Sequence, residues 1–340
     1  MSAKIRWGIL GVAAIATKKV IPGMQKSGSL EVAAIASREI ARARSAAEQA
    51  GIPKAYGSYE DLLADPEIDV IYNPLPNHLH VPWSIKAAEA GKHVLCEKPI
   101  ALSTAETQQL IEARDRTGVK IGEAFMVRTH PQWLRARELV GVGEIGDPRL
   151  IMSAFSYFNT DPNNIRNKPD IGGGAIMDIG CYPITMSRWF FNREPSRALA
   201  VIERDPAMGT DRLSSALLDF APGQAVFSCS TQLVPYQSFQ IFGTKGRVDV
   251  HWPFNTPPDQ PAYLRIDHGS KPIAGISERT EELPAQDQYT TQAEAFSAAV
   301  RGERDVPVSL EDAWANMAVI EALFRSAQTG NWEIPATLSS

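Results

Sequence analysis

The strongest constraint on the fold is the way the first third of the chain alternates short, wholly apolar runs with longer amphipathic ones. Ile5–Gly11, Val32–Ser37, Asp69–Asn73, His93–Cys96 and Val119–Ala124 read as strands. Ala13–Ser27, Glu39–Ala50, Pro82–Ala90 and a segment opening at Ser103 read as the helices between them. Strands that are apolar on both faces need cover on both faces, which predicts a parallel sheet wrapped by helices. Local punctuation agrees. Pro74 and Pro76 stop the third run, Pro82 falls in a first helical turn, and Gly91 follows a helix end. Ser103-Thr104-Ala105-Glu106 has capping-box spacing, and Gly118 ends the helix it opens.

The pattern changes after Phe125. Strand-like runs then dominate: Leu150–Phe158, Leu199–Glu203, Ser214–Phe220, Ala225–Thr231, Ser238–Phe242 and Arg247–Trp252. Ala221-Pro222-Gly223 between two of them is a hairpin signal. Helices are expected near 173–191 and near 309–328, the latter with Ser309 as cap, Asp312 three residues on and Gly330 past its end. The second half thus reads as a mostly antiparallel sheet with a few helices. The stretch 253–288, rich in Pro, Asp and Glu, is expected to be a long surface excursion. No internal repeat is evident. A length of 340 residues fits two domains, placed at 1–125 and 126–340.

Composition narrows the function classes. The chain is 44% hydrophobic and 21% charged, an ordinary core-forming balance. Its 34 Lys and Arg against 39 Asp and Glu leave a formal charge of −5, so no nucleic-acid partner is expected. No apolar run approaches the ~20 residues of a membrane span. Met1-Ser2-Ala3-Lys4 runs straight into Ile5 to Val12, which does not read as a secretory signal. The three cysteines, Cys96, Cys181 and Cys229, lack metal-like spacing, so neither a disulfide scaffold nor a metal site is expected. A reduced, cytoplasmic protein is the expectation.

The turn after the first strand reads Gly11-Val12-Ala13-Ala14-Ile15-Ala16, a G-x-A-x-x-A variant of the dinucleotide fingerprint. Small residues there let backbone N–H groups at a helix start approach a pyrophosphate; they also serve plain helix–strand packing. The tip of the second strand sharpens the reading. NAD-type folds place an acid there for the ribose 2′-hydroxyl, whereas this chain has Ser37-Arg38. A hydroxyl followed by a guanidinium suits a 2′-phosphate, so NADP is expected, with NAD possible.

Three further segments carry a family likeness: Tyr72-Asn73-Pro74-Leu75-Pro76-Asn77-His78-Leu79-His80, Glu97-Lys98-Pro99, and Gly172-Gly173-Gly174-Ala175-Ile176-Met177-Asp178-Ile179-Gly180-Cys181-Tyr182-Pro183. Together they resemble the glucose-fructose oxidoreductase / inositol dehydrogenase / rhizopine-catabolism (Gfo/Idh/MocA) family over nearly the whole chain. The resemblance implies a Rossmann doubly wound parallel sheet followed by an α+β domain with an open-faced, mostly antiparallel sheet. It implies that Lys98 lies near the nicotinamide and the reacting hydroxyl or carbonyl, with Lys98–Pro99 often cis. Asp178 and Tyr182, four apart, share a helix face, with Pro183 expected to kink the turn before it. Tyr at 182, where many relatives carry His, resembles the branch with dihydrodiol dehydrogenases and NADP-linked xylose dehydrogenases. A tyrosine acting as acid–base needs a cation to stabilise its phenolate, and Lys98 is the candidate.

The same resemblance places further residues at the cofactor. Leu75, Pro76, Asn77 and Glu97 belong to the motifs, with Asn77 and His80 on the nicotinamide-ribose side. Phe125-Met126-Val127-Arg128-Thr129-His130-Pro131 resembles the family's interdomain segment, which more often has Tyr at position 127, and Arg128 is its expected cofactor contact. Arg166 and Tyr289 match cofactor-touching positions in anhydrofructose-reductase-like relatives. The implied activity is NADP-dependent hydride transfer to or from a sugar, polyol or cyclic diol, in a homodimer or dimer of dimers built through the second-domain sheet. Two alternatives belong to other classes. A non-catalytic dinucleotide-binding regulator would lose Lys98 and its acid–base partner, and both are present. A glycosidase of the family retaining NAD is disfavoured by Ser37-Arg38.

Overall fold

The computed structural model describes residues 4–270 and 279–338. The chain divides into two compact units, Met1–Thr129 with Asp287–Trp314, and His130–Gln286 with Ala315–Ser340. The sequence reading placed one break after residue 125; Tyr289 was matched to a cofactor position, but the return of 287–314 to the first unit was not read.

In the first unit the strands are β1 (Ile5–Leu10), β2 (Leu30–Ala36), β3 (Lys54–Tyr56), β4 (Val70–Asn73), β5 (His93–Cys96) and β6 (Ile121–Glu123). They form one sheet in the order β3-β2-β1-β4-β5-β6, every pair parallel. The helices are α1 (Ile21–Met24), entered through a π-helical turn at Ala16–Val20, then α2 (Ile40–Ala50), α3 (Tyr59–Ala64), α4 (His80–Glu89) and α5 (Thr104–Thr117). This is the doubly wound arrangement expected. Strand β3 and helix α3 were not anticipated, because three and six residues are too few to show a period. Capping explains the ends. Ser103 Oγ accepts from the Glu106 amide at 3.1 Å, while Glu106 accepts from the Leu102 amide at 2.8 Å. Trp7, Ile9, Ile35 and Tyr72 are fully buried between the layers, each large aliphatic contributing about 1.5–3 kcal/mol relative to exposure.

The second unit is built on β7 (Pro148–Phe158), β8 (Arg197–Arg204), β9 (Asp211–Asp219), β10 (Gln224–Ser230), β11 (Gln232–Gly243), β12 (Arg247–Val250), β13 (Ala262–Asp267) and β14 (Arg279–Leu283). Their order is β14-β13-β12-β11-β7-β10-β9-β8; β7–β10 is parallel and the other pairs antiparallel. Helices α6 (Pro131–Gly141) and α7 (Cys181–Phe191) belong to this unit. Helix α8 (Gln288–Val300) returns to the first unit, where Phe296 packs on Trp7 and Ser297 accepts from its indole at 3.2 Å. The unit division falls within α9 (Leu310–Thr329).

Alternation sorts the eight-stranded sheet. Ile151 and Phe155 of β7, Phe227 and Cys229 of β10, and Phe239 and Ile241 of β11 are buried on one face. On the other face Met152 stands opposite Val226 and remains exposed, as do Val201, Phe158 and Tyr236. The hairpin at Ala221-Pro222-Gly223 joins β9 to β10, with Asp219 opposite Gln224.

One expectation is corrected. The stretch 253–288 is not a surface excursion where it is described. Ala262, Leu264 and Ile266 bury alternate positions of β13, β14 pairs with that strand, and Phe254 is fully buried, its amide held by Gln237 Oε1 at 2.8 Å. A period-2 pattern was masked there by the density of Pro and acidic residues. Residues 271–278 of that stretch lie outside the described residues.

Candidate active site

In a doubly wound sheet, ligands bind beyond the carboxyl ends of the strands. The first unit gathers its motif residues there. Gly11 closes β1 at φ +82°, a region that favours glycine, and a Cβ there would meet Leu75 Cδ2 at 3.0 Å. Val12 follows; then Ala13, Ala14 and Ile15 lead into the π turn, and Thr17 donates its N–H to Ala13 O at 3.0 Å. Ser37 is buried at the tip of β2, its amide on Tyr56 O at 3.1 Å, while Arg38 is exposed. Arg42, which sequence reasoning missed, lies one turn beyond Arg38 and donates to Val12 O at 3.2 Å. Its signal was the i, i+4 spacing from Arg38 at the start of α2. A glycine turn open to close approach, with two guanidiniums at the β2 tip, fits a dinucleotide bearing a 2′-phosphate.

The loops after β4 and β5 are tied together from beneath. His80 was expected to line the nicotinamide ribose. Instead it is fully buried, Nε2 on Leu75 O at 2.7 Å and Nδ1 on Pro99 O at 2.8 Å. Both ring nitrogens face backbone carbonyls, the neutral ring donating to one of them, so the side chain acts on the loops. Burial pushes its pKa down to about 4, outweighing the two carbonyls that favour the imidazolium. Pro76 O accepts from Leu79 N at 2.8 Å, folding Asn77–Leu79 into a 3-10 turn. Glu97 accepts the Tyr72 hydroxyl at 2.6 Å, and Lys98 N donates to Glu97 Oε2 at 3.3 Å. Lys98–Pro99 is cis. Tyr289 packs its Cβ where a side chain on Gly23 would be, and burial, then the Glu97 charge, raises its pKa. Arg128 forms a 2.6 Å ion pair with Asp312, only 11% of its side chain exposed.

In the second unit the chemistry gathers where α7 begins. Residues Ile176–Gly180 form a π-helical turn, with Cys181 N bonded back to Ile176 O. Pro183 was expected to kink this turn. The structure widens it instead, at the carbonyl of Ile179 that the proline ring would meet in a regular helix. Asp178 sits in the wide turn and Tyr182 in the α-turn that follows. Asp178 Oδ2 accepts from Tyr157 Oη at 2.6 Å and from Arg166 Nε at 2.9 Å. Arg166, expected at the cofactor, is thus engaged by Asp178. Tyr157 was missed, although it continues the buried Ile151, Ser153, Phe155 alternation of β7. Burial, then the Asp178 charge, raises the Tyr157 pKa, keeping it a donor. Tyr182 is 5% exposed, its ring 5.9 Å from Phe155 and 5.4 Å from Phe254 between centroids.

Among the described residues, no group of three or more His, Cys, Asp or Glu is placed to hold a metal, and no helix is long and apolar enough to cross a membrane.

Residues 5–125 match the model of an oxidoreductase family with an NAD-binding Rossmann fold, and residues 133–249 match the GFO/IDH/MocA C-terminal domain. The chain is 51% identical to an uncharacterized oxidoreductase, ORF334, of Rhizobium meliloti, over 97% of this chain and 98% of that one. It is 39% identical to D-xylose 1-dehydrogenase (NADP(+)) 2 of Haloferax volcanii, over 95% and 98% of the two chains. The crystal structure of KijD10, a 3-ketoreductase from Actinomadura kijaniata, in complex with NADP and TDP-benzene superimposes with a TM-score of 0.87 at 28% identity, covering 95% of this chain and 98% of that one. The chain belongs to the Gfo/Idh/MocA family of oxidoreductases.

Proposed function

We propose that the protein is an NADP-dependent oxidoreductase moving hydride between nicotinamide and a sugar, polyol or cyclic diol. The observation that carries this reading is the cationic tip of β2, where Ser37, Arg38 and Arg42 stand beside the Gly11 turn. The NADP named in the Haloferax dehydrogenase and bound in the KijD10 structure supports it.

Nicotinamide, when bound, supplies the hydride acceptor or donor. The chain supplies placement and proton transfer. The Gly11 turn and the amides of Ala13, Ala14 and Ile15 cradle the pyrophosphate, and Arg38 with Arg42 holds the 2′-phosphate. In oxidation the Tyr182 phenolate receives the substrate hydroxyl proton; in reduction the Tyr182 hydroxyl returns it. Lys98 is assigned to favouring the phenolate, and Asp178, oriented by Tyr157 and Arg166, to fixing substrate hydroxyls. We assign dimerisation to the open sheet face around Met152 and Val226, and the cytoplasm as its compartment.

The test is turnover on a panel of aldoses, polyols and diols with NADP and with NAD, followed by reduced-nicotinamide absorbance. Lys98→Met should lower kcat by ~10²–10⁴-fold with NADP binding retained. Near-normal turnover in that variant, or a wild-type preference for NAD, would overturn the proposal.

A further inference from the structure

We infer that Asp211 is a positioning residue of the active-site helix: its buried carboxylate, seated in the space Gly174 leaves open, fixes the wide turn that carries Asp178 and leads into Tyr182. This rests on the reading of those two residues given above.

Asp211 opens β9 and is 1% exposed. Its Oδ2 accepts the Ile176 amide at 2.7 Å and the Ser214 hydroxyl at 3.1 Å. The Ile176 amide lies in the first turn of the helical run, where no intrahelical acceptor exists, so a strand 35 residues away supplies the cap. The other oxygen, Oδ1, lies where a Cβ of Gly174 would be, within van der Waals overlap, and Gly174 holds φ +118°. No side chain fits at 174 while that carboxylate is in place.

The same knot reaches the residue that grips Asp178. Gly174 N donates to Arg166 O at 2.8 Å and Gly173 N to Lys168 O at 2.9 Å. A Cβ on Gly173 would stand 2.6 Å from Arg166 O and 2.7 Å from Lys168 O. The Arg166 backbone is therefore pinned to the glycine turn, and its guanidinium holds Asp178 at 2.9 Å. Asp211 sets the helix start from one side and, through Gly174, the Arg166 loop from the other. A shift of about 1 Å in groups so placed costs on the order of 10²-fold in rate.

The experiment compares Asp211→Ala, Asp211→Asn, Gly174→Ala and the double variant Gly174→Ala/Asp211→Ala, with Tyr182→Phe as reference. Turnover, KM for NADP and amide hydrogen exchange across 174–182 are read for each. Asp211→Ala should lower kcat by about 10²-fold, leave KM for NADP within about threefold, and speed exchange in that segment only. Asp211→Asn should recover most of the rate, because its carbonyl oxygen still accepts from Ile176. The double variant should cost no more than the worse single one, as for residues sharing one device.

Full turnover with unchanged exchange in Asp211→Ala, an Asn variant no better than Ala, or additive losses would each overturn the inference. If Asp211→Ala does not fold, Gly174→Ala decides, and its full turnover overturns the inference. Tyr182→Phe separates the two levels. Retained turnover there removes the reading of the site itself; lost turnover there with full turnover in Asp211→Ala removes only the positioning role.

Discussion

Each unit opens its working helix on a π turn with a proline just beyond it, Ala16–Val20 before Pro22 and Ile176–Gly180 before Pro183, yet the two helices are held by opposite means. In the first, Ala16, Val20 and Ile21 sink into the apolar core, and the groups the proposed function assigns to the ligand are backbone amides. In the second, a buried carboxylate, a tyrosine hydroxyl and a guanidinium hold the turn, and the groups the proposed function assigns to the substrate are side chains. The contrast follows the task. A pyrophosphate is recognised by main chain that any well-packed strand–turn–helix can present. Orienting Asp178 requires charges around it, and charges inside a protein must be partnered.

The comparison breaks first at Tyr182. If its hydroxyl is only part of the aromatic packing with Phe155 and Phe254, Tyr182→Phe keeps activity and loses little stability. The expected outcome is a fall in kcat/KM of about 10²-fold or more with NADP affinity retained. Steady-state kinetics beside cofactor titration decides it.

The next test sits in the first unit. Arg38→Ala should weaken NADP by about 10–150-fold and NAD far less, as expected for one charged hydrogen bond of roughly 1.5–3 kcal/mol. Arg42→Ala should show the same selectivity with a smaller loss, since its guanidinium also braces Val12 O. Equal losses for both cofactors would mean that these cations only support the fold.

A smaller effect is expected from Tyr157→Phe, which removes one donor to Asp178 and leaves Arg166. Turnover should fall by about 10-fold, equivalent to about 1.4 kcal/mol in the barrier. Unchanged turnover would remove Tyr157 from the orientation of Asp178.

The smallest net effect sharpens the contrast through pH. His80 has a folded value of about 4 against its ordinary 6.5, lowered first by burial and further by the neighbouring Lys98 and His78. Its contribution is complete above 6.5 and is lost as pH falls toward 4. Asp211 is raised by burial to about 6 from 3.8, against the Ile176 and Ser214 bonds and the Arg204 charge, with the Cys229 thiol also facing it. Its contribution is complete below 3.8 and is lost as pH rises through about 6. Each spans about 3 kcal/mol at ~1.4 per pH unit, and between pH 4 and 6 they oppose. Relative to wild type, Asp211→Asn should steepen the loss of stability on acidification, and His80→Asn should make acidification stabilising. Urea midpoints across that range measure both slopes; parallel curves for all three proteins would reject the assignment.

The parts legible from sequence were those whose causes lie within a few residues. Ile5–Leu10 is apolar throughout, and Ser103 and Gly118 cap their own helix, so these elements announced themselves. Ser37 and Arg38 could be placed because they follow an apolar strand directly. Asp211 could not, because its partner Ile176 is 35 residues away and nothing in Gly209-Thr210-Asp211 marks it. His80 was legible as a motif member but not as a clamp, since the Leu75 and Pro99 carbonyls converge on it only in the folded sheet. Strand β13 was obscured by its neighbours' composition, although Ala262, Leu264 and Ile266 alternate correctly.

The wide turn at Ile176–Gly180 also governs how this chain tolerates gains and losses of single residues. Such a turn holds one residue more than a regular helical turn of 3.6. Deleting a residue within it would leave an unbroken α-helix of ordinary pitch, so the segment itself would survive. Because the wide turn already accommodates the extra residue, the stretches on either side would keep nearly the same phase. A deletion at Ile179 or Gly180 would fall between Asp178 and Tyr182 and bring them from four residues apart to three. Loss of either of those two residues would therefore keep the helix and change how Asp178 and Tyr182 are presented, whereas the same change in the exposed loop at Asp161-Pro162-Asn163 would leave their spacing untouched.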